Sequence, residues 1–290
     1  MRTSLLFVLL IFCTKSTFSQ VTKSLQEDSS KPFILGVIEQ VQSRQLNEKR
    51  TLNIYLPEGY NNNDTVRYPV VYLLDGSADE DFIHIVGLYQ FNSFSWINRV
   101  PKSIAVGIAN VDRLRDFTYP TTIEEEKKKF PTAGYSDKFI GFIEKELQPF
   151  IEKKFKANSS KTIIGQSLGG LLATEILLKK PMLFTKYIIV SPSLWWDNGS
   201  LLNLALGVSQ KNFSLPIGIY IGVGKEGLTP TKIPHVMEVD ANLLAEKLNR
   251  ARNKLLKVYF DYLPTEDHAT IMHQAVFNAL RLLYPEAGKE

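Results

Sequence analysis

A series of short apolar runs without polar alternation constrains the fold of this chain more than any other feature. Val70-Val71-Tyr72-Leu73-Leu74 is continuous and ends in Asp75-Gly76, and Ile104-Ala105-Val106-Gly107-Ile108 is another such run. Thr162-Ile163-Ile164, Tyr187-Ile188-Ile189-Val190, Ile217–Val223 and Lys257–Tyr262 follow. Strands that are apolar on both faces belong to a parallel sheet covered by helices on each side. Helical segments fall between these runs. In Asp137–Phe155, the residues Phe139, Ile140, Phe142, Ile143, Leu147, Phe150 and Ile151 make a helical stripe, and Pro149 predicts a kink. Leu168–Lys179, Val239–Lys254 and Ala269–Tyr284 read as further helices. Upstream, Ile34–Ser43 and Arg50–Leu56 read as two strands around a polar turn at Asn47-Glu48, and 57–64 reads as a turn and loop. Strand and helix alternate from Tyr68 onward. That predicts one doubly wound α/β domain spanning 20–290, with no internal repeat and no linker.

The length of 290 residues suits a single large core, and 44% hydrophobic with 22% charged residues is ordinary for a soluble enzyme. The composition argues against disorder, a fibrous repeat and a multi-span membrane protein. The first residues differ from the rest. Arg2 precedes the unbroken apolar run Leu5–Cys13, and Thr14–Ser19 is mostly small and polar. That order is the one found in secretory signals. The run is too short to span a bilayer, which takes about 20 residues. Residues 1–19 are therefore expected to be a signal, cut before Gln20 with Thr17 and Ser19 at the minus-three and minus-one positions. Acylation at Cys13 is disfavoured because Leu10-Ile11-Phe12 lack the small residues such processing needs. After the cut no cysteine remains, so a disulfide, a thiolate nucleophile and a Cys-ligated metal are all ruled out for the mature chain. Export without disulfides suits a periplasmic or secreted bacterial enzyme. Losing Arg2 and Lys15 lowers Lys+Arg from 34 to 32 against 30 acidic residues, with no long basic block, which gives no case for nucleic acid.

Gly165-Gln166-Ser167-Leu168-Gly169 is a G-x-S-x-G sequence followed by Gly170. The run Thr162–Ile164 leads into it and the helix Leu168–Lys179 leads out. A serine at that junction turns sharply and presents its hydroxyl above the sheet, as in the α/β-hydrolase fold. The glycines remove side chains that would collide with the elbow. The helix start supplies backbone N–H groups and a positive dipole end for a developing oxyanion. Ser167 is the expected nucleophile and Leu168 N–H the first oxyanion donor. The second donor is expected from the loop after Val70–Leu74, at Gly76 or Ser77, with Asp75 ordering that loop.

The fold places the acid after the serine and the histidine last. His84 precedes the serine. His235 lies in the loop where an acid is expected, and His273 falls inside the last helix. His268, in the loop Pro264–His268 after the last strand, is the expected base. The acid holds the imidazole tautomer and stabilises the imidazolium. Glu226, just past the Ile217–Val223 strand, is favoured for it. Asp197 and Asp240 are the alternatives, Asp240 also suiting a helix start.

Taken together, these residues resemble the putative-esterase family of α/β-hydrolases. The likeness runs from about Arg50 to Tyr284. It is carried by Tyr68–Gly76, by Asp112–Pro120 with Arg113, Arg115 and Asp116, by Gly165–Gly170, by Ser191-Pro192-Ser193-Leu194-Trp195-Trp196-Asp197, and by Glu266-Asp267-His268. The family includes ferric-siderophore, feruloyl and acetyl-xylan esterases, S-formylglutathione hydrolases and mycolyltransferases. The Ser-Pro-Ser-Leu-Trp-Trp-Asp stretch is most similar to the siderophore-esterase branch. The resemblance implies a mostly parallel central sheet with helices on both faces, and hydrolysis without a cofactor. It also implies that some members of that branch work with little help from an acid.

Trp195 and Trp196 follow a strand at the carboxyl edge of the sheet, where open α/β folds bind ligands, and could line an aromatic-acyl or sugar pocket. Packing as a loop anchor is the alternative. Arg113 and Arg115 could meet an anionic substrate, or pair with Asp112 and Asp116. Export disfavours the S-formylglutathione reading. The expected activity is hydrolysis of small-molecule carboxylic esters, siderophore or related aromatic and sugar esters among them. An acyltransferase using the same triad and a non-catalytic binding protein on the same fold are the rival readings. The sequence carries no metal-ligand cluster, and His268 and His273 do not have zinc-pair spacing. Oligomeric state is not read from the sequence.

Overall fold

The computed structural model describes residues 29–209, 213–229 and 231–285. The expected signal segment, Cys13 included, lies outside the described residues. All elements below belong to one compact unit, Leu35–Glu290.

An eight-stranded sheet runs through this unit: β1 (Val37–Ser43), β2 (Glu48–Tyr55), β3 (Tyr68–Leu73), β4 (Ile104–Ile108), β5 (Ala157–Gln166), β6 (Lys186–Val190), β7 (Ile217–Gly224) and β8 (Leu256–Leu263). Its spatial order is β1-β2-β4-β3-β5-β6-β7-β8. The β1/β2 and β2/β4 pairs are antiparallel, and every pair from β4 through β3 to β8 is parallel. The sheet is thus mostly parallel, as the apolar runs require. β5 is longer than the expected Thr162–Ile164. Its polar start extends the ladder beside β3, where Val70 pairs with Lys161.

The helices are α1 (Phe82–Asn92), α2 (Arg113–Phe117), α3 (Glu124–Lys129), α4 (Ser136–Phe142), α5 (Gln148–Lys154), α6 (Leu168–Lys179), α7 (Met237–Arg250) and α8 (Ile271–Leu283). The pleat sorts the strand residues between two cores. Val70, Tyr72, Ile163, Tyr187 and Ile189 face the layer holding α2, α4, α5, α6 and α7. Val71, Leu73, Ile164, Ile188 and Val190 face α1 and α8. Helices therefore cover both faces, and the chain has the expected α/β-hydrolase fold.

Several local features differ from expectation. The predicted helix Asp137–Phe155 is interrupted by a π-helical turn at Ile143–Leu147 between α4 and α5. Pro149 lies at the start of α5, and the wider turn before it accommodates the missing N–H and the ring. α1 was not expected, because its sequence is apolar nearly all round: Ile83 and Phe91 are exposed while Phe82, Ile85, Val86, Leu88 and Tyr89 are buried. α2 is a single short turn capped by Asp112, whose side chain accepts from Arg115 N–H at 3.0 Å. Among the described residues, no helix is long and apolar enough to cross a membrane.

Candidate active site

β5 ends at Gln166 and α6 begins at Leu168, so Ser167 forms the whole junction. Its backbone is at φ 58°, ψ −118°, a region that side chains other than glycine avoid. The elbow is held by Ser167 N–H to Val190 O at 3.0 Å and by Ser193 N–H to Ser167 O at 3.0 Å. It also needs glycine at 165, since a Cβ there would lie 2.4 Å from Gly169 O. As first residue of α6, Leu168 has no intrahelical partner for its N–H, which therefore remains open above the sheet.

The carboxyl ends of β7 and β8 bring two further residues to this elbow. Glu226 follows β7 and is almost completely buried, and His268 follows β8 and is 46% exposed at its side chain. His268 Nδ1 lies 2.5 Å from Glu226 Oε2. A carboxylate only accepts, so Nδ1 carries the proton and Nε2 is the free base. Burial alone would raise the Glu226 carboxyl. Hydrogen bonds from His268, from the Ser191 hydroxyl and from Gly224 N–H outweigh it, and the group is held below its ordinary range. The loop around it is pinned as well: the N–H groups of Glu226 and Gly227 donate to Glu238 at 2.8 and 3.0 Å, and Lys225 N–H donates to Glu266 O at 2.8 Å. The histidine loop is tied to the elbow by Gln166, whose Nε2 donates to His268 O.

Ser167, His268 and Gln166 line one open cavity of about 440 Å³ together with Asp75, Glu80, Asp81 and Arg113. Arg113 is committed there to Asp75, in a bidentate pair at 2.7 and 2.9 Å, and Asn110 adds a third donor to the same carboxylate at 2.6 Å. Asp75 has φ 53° and orders the loop after β3, as expected for it. A larger cavity of about 600 Å³ lies over β8 and α8, lined by Tyr259, Phe260, Asn278 and Arg281, and it holds none of these groups.

Several expected site residues lie elsewhere or are occupied. Gly76 N–H donates to Ile108 O at 3.1 Å, so the sheet consumes it and it cannot also serve an oxyanion. Ser77 N–H is not taken up by the sheet; it donates to the Glu80 carboxylate at 3.4 Å. Arg115 does not reach the mouth; it binds Glu48 at 2.6 Å and Asp116 at 2.8 Å. Asp116 in turn pairs at 2.6 Å with the fully buried Arg50, a network that fixes α2 to β2. Trp196 is fully buried, with Nε1 donating to Tyr119 O at 2.8 Å, and is a loop anchor. Trp195 instead borders a second cavity of about 290 Å³ with Ile123, Phe130 and Ile233. Asp197 accepts from Thr122 N–H at 2.6 Å and from the Thr121 and Thr122 hydroxyls, and does not pair with His268. Asp240 pairs with His235 at 2.9 Å. Among the described residues no group of three His, Cys, Asp or Glu could hold a metal ion.

Sequence reasoning missed Gln166, Ser191 and Ser193. Ser191 Oγ donates to Glu226 Oε1, and Ser193 Oγ lies 3.2 Å from Ser167 Oγ. The available signal was position: hydroxyls at the carboxyl end of a strand adjacent to the nucleophile strand in a parallel sheet.

Comparison with known proteins gives the family. The family model described as "Putative esterase" matches residues 43–269. Ferri-bacillibactin esterase BesA of Bacillus subtilis is 28% identical over 284 residues, covering 92% of this chain and 96% of the relative. An IroE-like serine hydrolase from Shewanella oneidensis superimposes with a TM-score of 0.75 at 33% identity, covering 86% of this chain and 80% of the other. The BES protein from Bacillus cereus gives a TM-score of 0.75 at 28% identity, covering 90% and 98%. With its elbow serine and a buried carboxylate behind an exposed imidazole, this chain belongs to the putative esterase family and is a serine esterase on the α/β-hydrolase fold.

Proposed function

We propose that this chain is an exported esterase that hydrolyses the ester bonds of a siderophore, with Ser167 as nucleophile, His268 as general base and Glu226 as the orienting acid. The observation that carries the assignment is the 2.5 Å contact of Glu226 with His268 Nδ1, which leaves Nε2 free in the cavity that Ser167 lines. Ser167 Oγ attacks the ester carbonyl while His268 Nε2 takes its proton. The N–H groups of Leu168 and Ser77 bind the oxyanion of the tetrahedral intermediate. The proton returns to the leaving alcohol, and a water activated by His268 then cleaves the acyl-serine.

The substrate class is supported by the relative whose activity is ferri-bacillibactin hydrolysis and which matches nearly end to end. Trp195, with the cavity it shares with Phe130 and Ile123, is the surface for an aromatic acyl group. Arg113 borders the catalytic mouth, where its pairing with Asp75 makes it a loop brace before it is a substrate contact. Export is supported by the charged, apolar and polar order of residues 1–19.

The test is incubation of the purified protein with a fluorophosphonate probe, followed by mass mapping and then by product analysis with a tris-catecholate triester and with acetyl esters. Label on Ser167 and stepwise opening of the triester are expected. A well-folded protein that takes no label, or that cleaves acetyl esters and leaves the triester intact, contradicts the mechanism or the substrate class respectively.

A further inference from the structure

The turn Ser191-Pro192-Ser193, at the carboxyl end of β6, touches both ends of the catalytic chain. Ser191 is fully buried, has φ 42°, and its hydroxyl donates to Glu226 Oε1. Ser193 is 2% exposed, and its hydroxyl lies 3.2 Å from Ser167 Oγ. Between them Pro192 is pressed against the start of α6, where a Cβ on Gly170 would come within 3.0 Å of Pro192 Cα. The turn is rigid on its own backbone too, with Ser191 N–H bonded to Gly222 O at 2.7 Å and Ser193 N–H to Ser167 O at 3.0 Å.

Neither hydroxyl has another hydrogen-bond partner among the described residues. A buried hydroxyl costs stability unless it is bonded, so each is matched to the one group it touches. One of those groups is the attacking oxygen and the other is the acid. The backbone between them is also held in a left-handed conformation at Ser191, which directs its side chain to Glu226.

We propose that Ser191 and Ser193 are positioning residues of the esterase. Ser193 holds the Ser167 hydroxyl in register for attack, and Ser191 fixes the Glu226 carboxylate against His268. The short turn between them couples the two. The proposal rests on the assignment of Ser167 and Glu226 made above. When the Ser167 proton passes to His268 Nε2, the oxygen can only accept, and Ser193 then donates to it while a remaining lone pair faces the carbonyl. No bond to Ser193 forms or breaks, which makes it a positioning group.

The experiment compares the full chain with Ser193→Ala, Ser193→Thr and Ser191→Ala. The readouts are p-nitrophenyl acetate kinetics across pH, the rate of fluorophosphonate labelling, and Tm. Ser193→Ala is expected to lower kcat and the labelling rate about tenfold with KM and Tm unchanged, and Ser193→Thr to restore most of the loss. In Ser191→Ala, Glu226 loses a donor and pulls harder on the imidazolium, so the acid limb of kcat/KM should move to higher pH. Asp75, Glu80, Asp81 and Arg113 line the same mouth and Asp267 adjoins His268 in every variant, and they leave that comparison intact. Wild-type labelling rate in Ser193→Ala overturns the proposal. So does an activity loss that follows Tm and is uniform across pH. Absence of label on wild-type Ser167 overturns the nucleophile assignment and this inference with it.

Discussion

Two histidine–carboxylate pairs lie near the carboxyl edge of the same sheet, each with its histidine on a loop, and only one of these two histidines lines the cavity of Ser167. His268 is 2.5 Å from Glu226, and His235 is 2.9 Å from Asp240. In both, a nearly buried carboxylate accepts from Nδ1. The far side of the ring makes the difference. His268 is 46% exposed and lines the cavity of Ser167, with its ring bonded at Nδ1 alone among the described residues, whereas His235 is 18% exposed and its Nε2 meets Asn198 Oδ1 at 3.1 Å. The second pair therefore clasps the loop after β6 to the start of α7. A paired imidazole becomes a base only where its other nitrogen is left for a substrate or nucleophile.

The largest effect that would sharpen this contrast is loss of the nucleophile: Ser167→Ala should reduce kcat by on the order of 10⁴–10⁶-fold, read from steady-state ester hydrolysis. Next, His268→Ala should cost about 10³-fold or more in kcat, while His235→Ala should change kcat by less than about threefold and instead lower stability by about 1–2 kcal/mol in urea unfolding. Equal kinetic losses in the two would break the comparison. Glu226→Ala should lower kcat by about 10²–10⁴-fold, against no more than a few-fold for Asp197→Ala, whose hydrogen bonds lie on Thr121 and Thr122. Near-wild-type turnover in Glu226→Ala would place this chain with enzymes that need little help from an acid.

The smallest effect is on stability against pH, where the two carboxylates act with opposite sign. Glu226 is held below its ordinary range, so its contribution is present at neutral pH and is lost as pH falls through its folded value. Asp240 is pushed up by burial, with His235 opposing. Its native form therefore takes up a proton before the unfolded chain does, and stability is gained on acidification. Between about pH 6 and about pH 3, Glu226→Gln should lose less stability than the wild type and Asp240→Asn should lose more, as urea midpoints would measure.

Much of this was legible in the chain. The unalternating runs announced a parallel sheet because burial on both faces leaves no polar phase. The elbow was legible because strand, Gly-x-Ser-x-Gly and helix follow one another without a gap. α1 was lost because a segment apolar nearly all round has no stripe to read. Arg113 and Arg115, two residues apart in α2, could not be told apart by sequence, yet one borders the mouth and the other is bound into the network around Arg50. Gly76 and Ser77 were equivalent as donors until the pairing of Gly76 with Ile108 set them apart.

The sequence by itself determined the local events: which runs are strands, where the elbow turns, and the chain order of serine, acid and histidine. Periodicity and glycine placement report each residue's own backbone and face, and these need no knowledge of distant partners. The tertiary structure alone decided the pairings: Glu226 over Asp197 and Asp240 for His268, Ser193 for Ser167, and Gln166 for the histidine loop. Those partners are 26 to 102 residues apart in sequence. They meet because the order β5-β6-β7-β8 brings the carboxyl ends of four parallel strands side by side, and register across a sheet is a property of the assembled core.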